Sequence, residues 1–195
     1  REYLGGEPVR TRYFGGGTPS LCAPEAIAGL LDHAATLFDC TAAEETTLEA
    51  NPDDLTPAYL AALRRAGVNR LSVGIQSFDD ACLKLMNRRH NAAQAVKAVE
   101  TIRRAGIDNI SIDLMFGFPD ETLDDWQNDL NTALKLRPNH ISAYSLMYEE
   151  GTPLYLLLQN GKIKQTDDDT CLAMYTMLMD TLSANGYEHY EISNF

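Results

Sequence analysis

Tyr13-Phe14-Gly15-Gly16-Gly17-Thr18-Pro19-Ser20, YFGGGTPS, ends a short β-prone run with three consecutive glycines and a Thr-Pro-Ser step. A strand that stops on glycines and enters a helix is the opening of a β-α unit. The helix follows at once in PEAIAGLLDHAATLF (24–38), with apolar residues at helical spacing and proline near its start. A tight strand-to-helix turn is usually met with one glycine. Three in a row let backbone amides and carbonyls approach a bound molecule closely. The stretch is not a phosphate-binding P-loop, because the lysine and the second glycine spacing are absent. Nor does a third glycine open the helix as in the dinucleotide fingerprint.

Working outward, the β-then-α pattern repeats. TTLEANP (46–52) reads as a strand, and a helix from Pro57 to Ala66 closes on Gly67. NRLSVGIQSF (69–78) is the next strand. It precedes a short helix started by Asp79 and Asp80 and ending at Met86, then a longer one from Ala92 to Ala105. NISIDLMFGFP (109–119) has the apolar continuity of a strand buried on both faces. A helix from Leu123 to Leu136, the strand HISAYSLMY (140–148), helices at 153–160 and 168–185, and a final strand in YEHYEISNF complete the pattern. Such alternation implies parallel strands with crossover helices. A (β/α) barrel is the first expectation and a flat doubly wound sheet the second. The unusual residues decide between them: Gly15 to Thr18, Glu49, Gln76, Asp113 and Tyr144 to Met147 all fall at or near C-terminal strand ends. In a (β/α) barrel those ends converge where active sites are built.

The chain has 195 residues, 45% of them hydrophobic, and a net charge of -12. That length supports one sizeable core, and the charge argues against nucleic acid as a partner. No apolar run reaches the length of a membrane span and no signal peptide opens the sequence, so a cytoplasmic protein is expected. The cysteines Cys22, Cys40, Cys82 and Cys171 are too scattered for a metal or cluster ligand set and read as reduced, partly buried small hydrophobes. His33, His90, His140 and His189 read as surface or capping residues. Met115, Met147, Met174, Met177 and Met179 read as core fillers.

The remaining polar residues form a set. Glu49 suits an ammonium group or ribose hydroxyls, and equally a helix cap or ion pair. Gln76 can both donate and accept, as a ribose diol requires. Asp113 lies inside an apolar run, where a carboxylate is costly without a partner. Arg88 or Arg89 can grip a carboxylate in bidentate fashion. A glycine turn, two carboxylates, an amide and an arginine suit a zwitterionic, ribose-bearing small molecule.

YFGGGTPS, LEANPDDL (48–55), GVNRLSVGIQSFDD (67–80), MNRRHN (86–91), DLMFGFPDET (113–122) and HISAYSLMYEEGTPLY (140–155) occur in this order. Together they resemble the radical S-adenosylmethionine family. More narrowly, they resemble its branch of oxygen-independent coproporphyrinogen III dehydrogenases and heme chaperones, with EEGTPLY and YEISNF closer to the chaperones. The resemblance implies a partial (β/α)6 TIM-type barrel that holds S-adenosylmethionine beside a [4Fe–4S] cluster. Residues 1–150 would form its core, and 151–195 a helical extension with a final strand. It assigns Gly16, Gly17 and Thr18 to the methionine end of the cofactor, and Glu49 to its amino group. Arg88 would take its carboxylate, Gln76 and Asp113 its ribose, and Met147 its adenosyl group. The cluster would be held by a C-x3-C-x2-C loop before Arg1, on a missing first strand, so the chain as given should lack cleavage chemistry. Heme or porphyrin and a heme-acceptor protein are the implied partners.

Overall fold

The computed structural model describes residues 5–195. Five strands, β1 (Thr11–Phe14), β2 (Glu45–Ala50), β3 (Arg70–Gln76), β4 (Asn109–Phe116) and β5 (His140–Ser145), form one sheet in the order β1-β2-β3-β4-β5. Phe14 pairs with Leu48, and Leu48 with Leu71, both in parallel register. Each strand lies beside its predecessor in sequence. A doubly wound sheet instead reverses its strand order at a switch point, so the second expectation falls.

Between the strands run α1 (Pro24–Leu37), α2 (Pro57–Arg65), α3 (Asp80–Leu85), α4 (Ala92–Arg104) and α5 (Leu123–Leu136), with α6 (Pro153–Gln159) and α7 (Asp168–Ala184) after β5. Their starts have local causes. The Thr56, Thr152 and Asp167 side chains accept from backbone N–H groups in the first turns of α2, α6 and α7. Thr122 and Asp125 form a reciprocal capping box on α5. α1, α2 and α6 also carry proline in the first turn, where its missing N–H costs nothing.

The chain divides into two compact units. The first comprises Arg1–Gly74 and Lys97–Ser111. Leu48, Leu60, Leu63, Leu71, Val73 and Ile102 are sealed in its interior. At the N-terminal ends of its strands the Glu45 carboxylate meets Arg70 at 3.8 Å and accepts from Asn109 at 3.3 Å.

The second unit comprises Ile75–Val96 and Ile112–Phe195. Trp126 of α5 is fully buried at its centre, 5.3 Å from Phe116 between ring centroids, and its Nε1–H donates to the Met174 carbonyl of α7 at 3.0 Å. The last residues do not form a regular strand. They meet β5 through one isolated antiparallel bridge, Ser142 with Asn194, and Ile141 and Phe195 exchange backbone bonds of 3.0 and 2.9 Å.

Burial corrects several side-chain expectations. Of the methionines, Met174 is core, whereas Met147 is 71% exposed and Met115 half-buried. His90 is buried rather than at the surface, and Cys22 is exposed rather than partly buried.

Candidate functional site

In the first unit the glycine turn is built around Glu49. β2 outruns β1 by two residues, because Phe14 pairs with Leu48 and Ala50 ends the strand. Glu49 therefore stands level with the turn that follows β1. Its Oε1 accepts from the Tyr13 hydroxyl at 2.7 Å and its Oε2 from the Gly16 N–H at 3.0 Å. A carboxylate has about four acceptor positions, so capacity remains for a cationic donor.

The three glycines have two different reasons. A Cβ on Gly15 would lie 2.7 Å from the Tyr13 ring and 3.0 Å from Glu49 Oε1, so this residue is small to admit the Tyr13–Glu49 pair. Gly16 and Gly17 have φ of +81° and +64°, where L side chains are strained. A Cβ on either would meet no protein atom within 4 Å. The turn thus presents bare backbone beside a carboxylate, which fits the amino-acid end of a zwitterion. Thr18 is half-buried and precedes a single 3-10 turn, Pro19–Leu21. There Ser20 donates to Asp54 at 2.6 Å and accepts from Asn51 N–H at 3.1 Å, tying the loops after β1 and β2 together.

In the second unit Gln76 is the last residue of β3, with φ +72°. For a residue other than glycine this conformation costs about 1–2 kcal/mol, and such strain concentrates at working positions. Arg88 follows α3, half-buried, with its N–H bonded to the Leu83 carbonyl at 2.9 Å. Arg89 beside it is exposed. His90 Nε2–H donates to the Ile75 carbonyl at 3.1 Å, so a buried imidazole reaches the residue before Gln76. Asp113 sits mid-strand in β4 between the fully buried Ile112 and Leu114, on the same half-open face as Met115.

Met147 and Met115, with Leu85, Met86, Tyr144 and Leu154, line a mostly apolar cavity of about 480 Å³. A larger cavity of about 660 Å³, at the start of β5 and lined by His140 and Tyr187, contains none of the expected residues. The motif residues and the smaller, apolar cavity are the better guide, because binding sites are apolar walls with a few placed polar groups. Among the described residues no three His, Cys, Asp or Glu side chains stand together as metal ligands. The cluster therefore finds no ligand set among them.

Two carboxyls in the second unit, the half-buried Glu121 and the buried Asp129, are not legible in the sequence, because an acid at the end of a turn or on a helix normally faces water. Glu121 Oε2 accepts from Gly117 and Phe118 N–H at 2.6 and 2.9 Å, folding the loop after β4 back on itself. Asp129 of α5 accepts from the Ser77 hydroxyl at 2.7 Å and from Phe78 N–H at 3.0 Å. Burial pushes Glu121 up to about 7 and Asp129 up to about 6, against the lowering effect of those bonds. Both values lie above the ordinary 4.5 and 3.8. Their stabilisation is thus complete below those ordinary values and is lost as pH rises through the folded ones. The melting temperature should fall between pH 5 and 7.5. Glu121→Gln should flatten the curve by an amount on the order of 2–3 kcal/mol, read from thermal melts across that range. A slope unchanged in Glu121→Gln would contradict this account.

A sequential parallel sheet with polar residues at its C-terminal strand ends defines an α/β protein of the partial-barrel class. The chain belongs to the radical SAM superfamily, whose family model matches residues 2–133. Members of this family use S-adenosylmethionine with a [4Fe–4S] cluster. Among curated proteins, the chain is 39% identical over 189 residues to heme chaperone HemW of Lactococcus lactis, covering 97% of this chain and 50% of that protein. It is 40% identical over 192 residues to heme chaperone HemW of Bacillus subtilis, covering 97% and 51%. The chain spans about half the length of the curated relatives it matches. Among solved structures, coproporphyrinogen III oxidase (HemN) from Escherichia coli superposes with a TM-score of 0.83 at 24% identity, over 96% of this chain and 43% of that one. At that identity the likeness speaks for the fold.

Proposed function

We propose that the chain is the S-adenosylmethionine-binding core of a protein of heme metabolism, a heme chaperone that passes heme to an acceptor protein. The observation that carries this reading is its likeness, at 39% and 40% identity across nearly its whole length, to proteins named heme chaperone HemW. Residues 1–150 form the cofactor core in this reading, and 151–195 begin a further region. Gly16, Gly17 and Thr18 meet the methionine end, and Glu49 takes the ammonium group. Arg88 holds the carboxylate, Gln76 and Asp113 the ribose hydroxyls, and Met147 the adenosyl group. Together with an iron–sulfur cluster held by other residues, the cofactor supplies radical chemistry. The side chains of this chain bind and orient it. Two features support the assignment: the bare backbone at Gly16 and Gly17 beside the Glu49 carboxylate, and the strained backbone at Gln76.

The competing reading is oxidative decarboxylation of coproporphyrinogen III. One experiment separates the two. The protein is expressed from its native gene, reconstituted with iron and sulfide, and assayed for heme binding by absorption titration. It is then assayed for carbon dioxide release from coproporphyrinogen III with S-adenosylmethionine and a reductant. Stoichiometric heme binding without carbon dioxide release is expected, and steady release would overturn the chaperone reading. Asp113→Asn should weaken S-adenosylmethionine binding about tenfold, because an amide oxygen and NH2 cannot replace two acceptor oxygens facing hydroxyl groups. Heme binding should survive that change.

A further inference from the structure

The peptide before Gln76 and the two residues after it are tied to buried side chains. Before it, the Ile75 carbonyl accepts from His90, 3% exposed. After it, the Ser77 hydroxyl and the Phe78 N–H both donate to Asp129, 5% exposed, one to each carboxylate oxygen. Ser77 Oγ in turn accepts from Asp79 N–H at 2.9 Å, and Asp79 caps α3 through Ala81 and Cys82 N–H at 2.6 and 3.2 Å. Asp80 extends the chain of bonds by accepting from Ala92 N–H at 2.8 Å, at the start of α4.

This is more than loop packing requires. A buried carboxylate is costly, and a helix residue that only filled space would be apolar. A positive φ at a residue with a side chain persists only when its surroundings over-determine it. The conformation of Gln76 is set by the orientation of the peptide before it and the one after it. His90 holds the first directly, and Asp129 restrains the second indirectly, by holding the Ser77 hydroxyl and the Phe78 N–H just beyond it. Asparagine at 129 keeps only half of this as it stands: its Oδ1 can still accept from Phe78 N–H, but its NH2 can meet Ser77 Oγ only if that hydroxyl turns round and loses its own acceptor.

We propose that Asp129 is a positioning residue: from α5 it clamps Ser77 and Phe78 and so holds Gln76 in the strained backbone conformation that aims its amide at the cofactor ribose. The proposal rests on the reading of Gln76 as a ribose contact. Asp129 touches no ligand itself and acts through the loop.

The test is a double-substitution cycle on the complete chain, titrated with S-adenosylmethionine by calorimetry, with melting temperature measured in parallel. Asp129→Asn should weaken binding about tenfold, and Gln76→Ala by a similar or larger factor. The double variant should bind no more weakly than Gln76→Ala, because the clamp has nothing left to aim. The stability loss from Asp129→Asn should be the same in both backgrounds. Affinity losses that multiply in the double variant would overturn the positioning role. An unchanged affinity in Asp129→Asn beside a weakened Gln76→Ala would do the same, while leaving Gln76 as a contact. An unchanged affinity in Gln76→Ala would remove the ribose assignment and the proposal with it. Should Asp129→Asn not fold, Ser77→Ala removes only the hydroxyl half of the clamp. The cycle is then run on that variant, with amide hydrogen exchange at Phe78 reporting whether the loop has loosened.

Discussion

Gly16→Val should lose S-adenosylmethionine binding by a hundredfold or more while the chain remains folded. Three effects combine at this position. Valine at φ +81° occupies a region closed to β-branched residues, at a cost of roughly 1–2 kcal/mol or more. The turn must therefore reshape, which breaks the 3.0 Å bond from Gly16 N–H to Glu49 and frees that carboxylate from its aim. The added methyl groups also fill space where no protein atom lies within 4 Å of the Cβ, the space in which the methionine end of the cofactor is proposed to lie. Gly161, exposed, with φ +63° and nothing within 4 Å of its Cβ, is the control. Gly161→Val carries the same backbone strain outside the proposed site and should bind normally. Calorimetric titration of both variants decides the matter: equal affinities in Gly16→Val and the unchanged chain would remove the turn from the site.

Trp126→Ala should cost about 3–5 kcal/mol of stability, as truncations of large buried aromatic side chains do. The indole is fully enclosed, contacts Phe116, and spends its N–H on the Met174 carbonyl, so it joins α5 to β4 and α7. A change of that size lowers the melting temperature of a chain this long by roughly 10 °C. Trp126→Phe keeps most of the volume and loses the N–H bond, for about 1 kcal/mol. Urea titration of the two variants separates packing from hydrogen bonding. If Trp126→Phe proved as damaging as Trp126→Ala, the indole would hold α5 and α7 together mainly through its hydrogen bond and only secondarily through the volume it fills.

Helix positions were legible in the sequence because their causes are local. Thr56, Thr122, Thr152 and Asp167 cap the helices they precede, and Pro24, Pro57 and Pro153 open theirs. Strand ends were less legible. β2 to β5 were each expected to run on by two or three residues, to Pro52, Phe78, Pro119 and Tyr148, but they end at Ala50, Gln76, Phe116 and Ser145. The cause is burial beyond the last ladder bond: Phe118 is sealed and Leu146 is 8% exposed, so loops at these ends carry strand-like apolar residues. Of the candidate site, residue types at strand ends could be read, including Glu49, Gln76 and Asp113. The clamp by Asp129 and the brace by His90 could not, because each joins residues far apart in sequence, 51 or 52 positions for Asp129 and 15 for His90.

The parallel register of β1 against β2 also sets where the gene can tolerate change in length. Glu49 stands beside the glycine turn only because Phe14 pairs with Leu48. An extra codon in the stretch between Phe38 and Glu44, which has no helix or strand, lengthens a connection and leaves that pairing intact. An extra codon inside β2, between the paired Thr46 and Glu49, moves every later side chain to the opposite face. With the insertion ahead of Leu48, leucine would then stand where the carboxylate was, with the strand otherwise whole. Natural variants of this chain should accordingly accumulate insertions and deletions before β2 and none within it, a pattern that sequencing of close relatives can read directly.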